Sequence, residues 1–275
     1  MTRAEFGENL KVAWDTLRAR KVRSGLTLLG IVIGVTSVIA VAAIIDGLNG
    51  YIAGKVEKMG SRTYFVTRWP PGTLPNRLPE KIRLRKYLNY EDGERLREVC
   101  RYTDQISVMA TRATFLGDTN EIRHGGERVE RVIVRGAEPI HPDLLLMFSV
   151  EYGRFFNGAE QARSASVVVL GAAVADSLFP RSNPLGKTVM LNGAPYEVIG
   201  IFYQDPGMLG GPGVDQFAMV PLSTFRKHNP GVKEVFIGFT ARRDVPKEYA
   251  LNEVTEALRR LRHPRLAHNL RDYLS

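Results

Sequence analysis

From Gly25 to Ile45 the chain reads GLTLLGIVIGVTSVIAVAAII, twenty-one residues without a charge, set between Arg23 and Asp46. As a helix this stretch rises roughly 30 Å, the thickness of a bilayer's hydrocarbon core. A buried helix of a soluble domain is the competing explanation. Such a helix usually carries a polar stripe, and here the only polar side chains are Thr27, Thr36 and Ser37. The sequence therefore predicts a transmembrane helix over 25–45.

The flanks set its direction. Arg3, Lys11, Arg18, Arg20, Lys21 and Arg23 precede the span, and basic residues so placed stay on the cytoplasmic side. The N-terminus is expected inside and everything after Asp46 outside. A cleaved signal peptide would also export the remainder, but its apolar region is normally about 7–15 residues. This longer one runs on into polar helix, so an uncleaved anchor is expected. Residues 1–24 read as a cytoplasmic amphipathic helix, with Phe6, Leu10, Trp14 and Leu17 on one side. Trp14, Arg20, Lys21 and Arg23 are its membrane-interface residues. Within the span, Thr27, Gly30, Gly34 and Ser37 share one face, the small-xxx-small pattern that lets a second helix approach. Residues 46–60 continue as a stalk helix, where Gly47, Gly50 and Gly54 point to close packing or a flexible exit.

The net charge of +9 over 275 residues invites thoughts of nucleic acid. Part of that excess is the juxtamembrane cluster, the rest is scattered, and no aromatic–basic interleaving accompanies it. Nucleic-acid binding is not expected. Cys100 stands alone, so the outer domain must be held by its core rather than by an internal disulfide.

Beyond the stalk, Thr63–Arg68 alternates as a strand and the proline-rich Trp69–Lys81 reads as a loop. A helix starts at Asn89 or Tyr90 and runs to about Cys100. Strands are predicted over Ile106–Leu116 and Glu121–His124, with a turn at Gly117-Asp118, and one further strand over Glu127–Gly136. Val167–Leu170 is a continuous apolar strand followed by a helix at Ala172–Phe179. Thr188–Leu191 and Tyr196–Ile201 are joined across Asn192-Gly193, a strong hairpin signal. Phe217–Val220, a short helix near Ser223–Lys227, a strand at Glu234–Thr240 and a helix at Lys247–Leu261 complete the order. Residues 263–275 form a basic tail.

No active site is legible. Pro184-Leu185-Gly186-Lys187-Thr188 resembles a phosphate loop, but Arg181 stands where its first glycine belongs and a strand follows. Gly207–Gly213 lacks the lysine and threonine of such a loop. The five histidines, at 124, 141, 228, 263 and 268, are dispersed, and there is no HExxH or CxxC. The chain is expected not to be an enzyme and to carry no metal or cofactor.

An ordered series of short motifs resembles the MacB/FtsX-type permeases of ABC transporters, specifically their first span and MacB-like periplasmic core domain. It begins with Asn9-Leu10, Ala13-Trp14, Lys21-Val22-Arg23-Ser24 and Leu28-Leu29-Gly30-Ile31. Gly153-Arg154-Phe155-Phe156, Val167–Gly171, Leu178-Phe179-Pro180 and Asn183–Lys187 follow, then Tyr196–Gly200 and Val220–Thr224. The resemblance covers about 4–261. It implies an α+β fold with an extracytoplasmic two-lobed domain: a βαβ porter-like lobe from 61–128 and 233–262, and a β-rich lobe of 129–232 inserted in it. It also implies a bacterial inner membrane, a homodimer or sibling permease, a cytoplasmic ABC ATPase that binds the ATP, and a periplasmic adaptor protein. Such permeases normally continue into three further spans, absent before Ser275, so a truncated form is expected.

The leading functional expectation is thus a permease-type component of an ABC export or mechanotransmission system. Its periplasmic core domain would relay ATPase-driven motion or contact substrate or adaptor. The alternative is a single-span, membrane-anchored binding or scaffolding module not coupled to ATP.

Overall fold

The computed structural model describes residues 21–58, 62–68, 80, 85–112, 119–205 and 213–262. The amphipathic helix with Trp14 and Arg20, the turn at Gly117-Asp118 and the basic tail lie outside them. So do Gly60, the Trp69–Lys81 loop apart from Glu80, and the Gly207–Gly213 loop apart from Gly213. Helix α1 (Lys21–Lys58) is unbroken for 38 residues, so the predicted span and stalk form one element. Contacts divide the chain into two compact units, Met1–Lys55 and Val56–Ser275.

The second unit is an α+β domain built on one mixed sheet. Strand β1 (Thr63–Val66) precedes helix α2 (Tyr90–Val99). That helix starts where the sequence places it because Asn89 caps it: the Asp92 amide donates to the Asn89 Oδ1 at 2.9 Å, and the Asn89 amide donates to the Asp92 carboxylate at 3.0 Å. Strand β2 (Thr103–Arg112) is followed by β3 (Glu121–His124), β4 (Glu127–Glu130) and β5 (Ile133–Ala137).

The single strand expected over Glu127–Gly136 is therefore two. The chain breaks at Arg131, whose φ is +62°. Its amide donates to the Asn120 carbonyl, while the buried Asn120 side chain donates to the carbonyls of Arg112 and Val132 at 2.9 and 3.0 Å. An asparagine tie from outside the segment overrides an otherwise strand-like run, and sends β4 and β5 to different parts of the sheet.

Helix α3 (His141–Leu144) and a 3₁₀ turn (Leu146–Phe148) lead to β6 (Val150–Gly153) and helix α4 (Gly158–Ala162). Strand β7 (Val167–Leu170) and helix α5 (Ala172–Leu178) precede the hairpin of β8 (Thr188–Leu191) and β9 (Ala194–Phe202). Its turn residues Asn192 and Gly193 have φ of +48° and +84°, the geometry a two-residue hairpin demands. Strand β10 (Phe217–Pro221), helix α6 (Leu222–His228), strand β11 (Val235–Ala241) and helix α7 (Lys247–Arg262) close the domain.

The strands lie in the order β1-β11-β2-β5-β10-β7-β9-β8-β3-β4, with β6 beside β9. Neighbours are antiparallel except β5/β10 and β7/β9. Because β11 lies antiparallel between β1 and β2, the run β1–α2–β2 is a βαβ unit opened by one strand. Residues 121–128, grouped with the first lobe by the resemblance, pair through β3 into β8.

Both faces of the sheet are apolar, which explains why β7 and β10 read as uninterrupted hydrophobic runs. On one face Val108, Val168, Leu170 and Val220 pack under Leu96 of α2, Leu178 of α5, Phe225 of α6 and Val254 of α7. On the other, Ile133, Val169, Phe217 and Met219 pack under Leu144, Phe148, Phe156 and Phe202.

Candidate functional site

Helix α1 carries the first candidate surface. It is long and apolar enough to cross a membrane over Lys21–Ile52, and none of its apolar stretch is buried. Leu26, Ile31, Val38 and Ile44 are each more than half exposed. Thr27 Oγ1 donates to the Arg23 carbonyl at 2.9 Å, and Ser37 Oγ to the Ile33 carbonyl at 2.7 Å. Both hydroxyls are thereby satisfied inside the helix, as a hydrocarbon surrounding requires. A Cβ built on Gly30, Gly34, Gly47 or Gly50 meets nothing within 4 Å. Among the described residues, then, nothing packs on Gly30 and Gly34 in the face they share with Thr27 and Ser37, nor on Gly47 and Gly50. Lys21 and Arg23 are exposed in the first turn of α1.

The motifs behind the family resemblance are positioned by backbone geometry and by one ion pair. Gly153 has a φ of +82°, and a Cβ there would lie 2.3 Å from the Ile199 carbonyl oxygen, so only glycine fits. The next residue, Arg154, grips Glu160 through two contacts of 2.8 Å. Glu160 also closes the α4 cap by accepting from the Asn157 amide. Gly186 turns at φ +75° and Thr188 opens β8, so the phosphate-loop look-alike enters a strand rather than a helix.

Two open surface depressions flank the βαβ unit. One, of about 740 Å³, lies between β1, β11 and α7 and is lined by Phe65, Phe239, Leu251 and Leu258 with Arg85 and Arg259. The other, of about 640 Å³, lies between the start of α2 and α6, lined by Tyr87, Tyr90, Arg226, Lys227 and Lys233. The Arg226 guanidinium stands 4.1 Å over the Tyr90 ring.

The polar centre that sequence reasoning missed is inside the domain. Ser107 and His141 are fully buried, and Ser107 Oγ lies 3.1 Å from His141 Nδ1. Burial, then the charge of Arg135, pushes the imidazole down to about 3, so it is neutral at neutral pH. Fully enclosed, this Ser–His pair is closed to any substrate. Arg135 lies with its guanidinium 4.1 Å over the Phe217 ring and 5.7 Å from Phe148. Burial lowers it to about 10, and it remains a cation. Each cation–π contact supplies about 0.5–2 kcal/mol, and the residue as a whole is only part-buried. The only trace in the sequence was an arginine on the inward face of an apolar strand.

The other described histidines and the cysteine have local partners or surroundings. His124 Nδ1 meets the Thr188 carbonyl at 2.8 Å, and His228 contacts the Tyr196 hydroxyl; His263 and His268 lie outside the described residues. Burial first, and then the Glu253 charge, push the Cys100 thiol up to about 11, which makes it a poor nucleophile. Among the described residues no group of His, Cys, Asp and Glu is placed to hold a metal ion.

Comparison with known proteins bears on the whole of this arrangement. The profile of the family described as MacB-like periplasmic core domain matches residues 24–260. The macrolide export ATP-binding/permease protein MacB of Hyphomonas neptunium is 33% identical over 228 residues, 80% of this chain and 32% of that protein. Its counterpart in Azoarcus sp. is 30% identical over 256 residues, 93% of this chain and 37% of that protein. The pyoverdine export ATP-binding/permease protein PvdT of Pseudomonas putida is 29% identical, covering 80% of this chain and 31% of its own. The chain spans about a third of the length of these relatives. Among solved structures, the periplasmic region of MacB from Actinobacillus actinomycetemcomitans superposes with a TM-score of 0.61 at 22% identity, covering 75% of this chain and 86% of that one. The fold is therefore shared with that region.

Proposed function

Because the chain belongs to the family of MacB-like periplasmic core domains, we propose that it serves as the permease-type membrane component of an ABC export or mechanotransmission system. Family membership over 24–260 is the observation that carries this reading. Helix α1 crosses a bacterial inner membrane with its N-terminus in the cytoplasm, a direction supported by Lys21 and Arg23 at its start. The α+β domain stands in the periplasm, where the lobes of 61–128 with 233–262 and of 129–232 relay motion or contact substrate or an adaptor protein. ATP is bound and hydrolysed by a separate cytoplasmic ABC ATPase, not by this chain, which acts as no enzyme and holds no cofactor. The open face of Thr27, Gly30, Gly34 and Ser37 receives a helix of a second copy or a sibling permease.

The test is co-purification of the tagged full-length chain from its native membrane in mild detergent. An ABC ATPase and a permease partner are expected in stoichiometric amounts. Recovery of the chain with neither overturns the transporter role and leaves a membrane-anchored binding module.

A further inference from the structure

The depression of about 640 Å³ between the start of α2 and α6 carries an unbalanced charge. Arg226, Lys227 and Lys233 line it against one carboxylate, Glu91. Among the described residues none of these three cations makes an ion pair. Elsewhere on the domain Arg97, Arg123, Arg154, Arg242 and Arg259 each meet a carboxylate at 2.6–2.8 Å. Glu234, the acid beside Lys233 in the chain, is held by Arg68 at 3.2 Å. The lining is also aromatic, with Tyr87 and Tyr90, and the Arg226 guanidinium is fixed 4.1 Å over the Tyr90 ring. The turn after α6 is braced. Asn229 Oδ1 accepts from Arg112 at 3.1 Å, Asn229 Nδ2 donates to the Phe225 carbonyl at 3.0 Å, and the Val232 amide donates to the Asn229 carbonyl at 3.1 Å. A surface set in advance spends less free energy on ordering when something binds.

We propose that this depression is a docking surface for an acidic peptide segment of a partner protein. Its cations are spread along α6 and the turn that follows, not gathered on one point. They therefore match several carboxylates spaced along a chain rather than one small ion. The open form argues the same way, since sites for small ligands enclose most of their ligand. Tyrosine and arginine are the side chains that most often anchor protein interfaces. Tyr87 and Pro230 offer the peptide apolar contact between its acids. Exposed charge of one sign steers an oppositely charged partner in and turns a basic one away. Such docking needs only the surface of the domain, so it is independent of coupling to an ATPase.

The experiment uses the full chain in neutral detergent and the fluorescence anisotropy of a labelled short peptide, glutamate alternating with serine around a central tyrosine. A second peptide has glutamine at every glutamate. Saturable binding of the acidic peptide is expected at low ionic strength, and at least about tenfold weaker binding of the glutamine peptide. Lys227→Glu combined with Lys233→Glu leaves Arg226 on Tyr90 and is expected to abolish binding. Arg181→Glu combined with Arg243→Glu changes the net charge equally at exposed positions outside the depression, and should leave binding intact. Tyr87→Ser alters no charge and is expected to weaken binding at least about fivefold. Absence of binding, equal binding of the two peptides, equal loss in the two charge-reversed pairs, or an unchanged affinity in Tyr87→Ser would each overturn the proposal. So would a labelled oligothymidylate that displaces the acidic peptide at a lower concentration than the peptide itself requires, which would make this a surface for nucleic acid.

Discussion

Glu160 is where a short family motif becomes an energetic statement. Its carboxylate is buried, receives two bonds from Arg154 and a third from the Asn157 amide, and the Arg154 guanidinium holds it below the usual carboxylate range. With the folded value depressed, the stabilisation is complete above the unfolded value near 4.3 and is lost as pH falls through the folded value. Glu160→Gln keeps the shape but removes the charge. At neutral pH it is expected to cost about 1–3 kcal/mol, toward the lower end because the Arg154 side chain is 54% exposed. Urea melts at pH 7 and near pH 3 check the sign: the gap between variant and wild type should close on acidification. A gap that stays constant would mean that shape, not charge, fixes Arg154 against α4.

At the scale of elements, what could be read in advance was what the local chain decides. The Val167–Leu170 strand, the Asn192-Gly193 hairpin and the start of α2 at Asn89 or Tyr90 each depend on residues within a few positions of one another. What escaped was decided across the sheet. Arg131 looks like any strand residue until Asn120 takes its amide, and nothing near Arg135 in the chain tells that β10 places Phe217 beneath it. The first case predicts that Asn120→Ala, which strands the carbonyls of Arg112 and Val132, costs about 2–4 kcal/mol. Hydrogen exchange should quicken in β3 and β4 before the rest of the sheet, whereas uniform acceleration would contradict a local tie. On α1 the prediction concerns packing between helices. If a partner helix seats on Gly30 and Gly34, the paired substitutions Gly30→Leu and Gly34→Leu should lower detergent-resistant association at least severalfold. The leucines fill the close approach that small residues allow. The same change at Ile31 and Val35, on another face, should leave association intact.

Across the whole molecule, the two units place opposite demands on their surroundings. Among the described residues the sheet of the domain lies under its own α2, α5, α6 and α7 on one side and under Leu144, Phe148 and Phe156 on the other. The domain therefore holds what it needs to fold, and a protein consisting of 56–275 is expected to be soluble and monomeric. Its thermal transition should be single and cooperative, as for a domain with one continuous sheet. Helix α1 is in the reverse position, with Leu26, Val38 and Ile44 at 64%, 71% and 68% exposure. A run of such side chains far exceeds the apolar patch a soluble monomer tolerates, while each one favours the bilayer centre by about 0.3–0.6 kcal/mol. The full chain should consequently remain with membranes after alkaline carbonate washing, and the truncated one should be found in the soluble fraction. Extraction of the full chain by carbonate would remove the membrane assignment of α1. A truncated chain that aggregates or melts without a cooperative transition would show that the sheet depends on α1 after all.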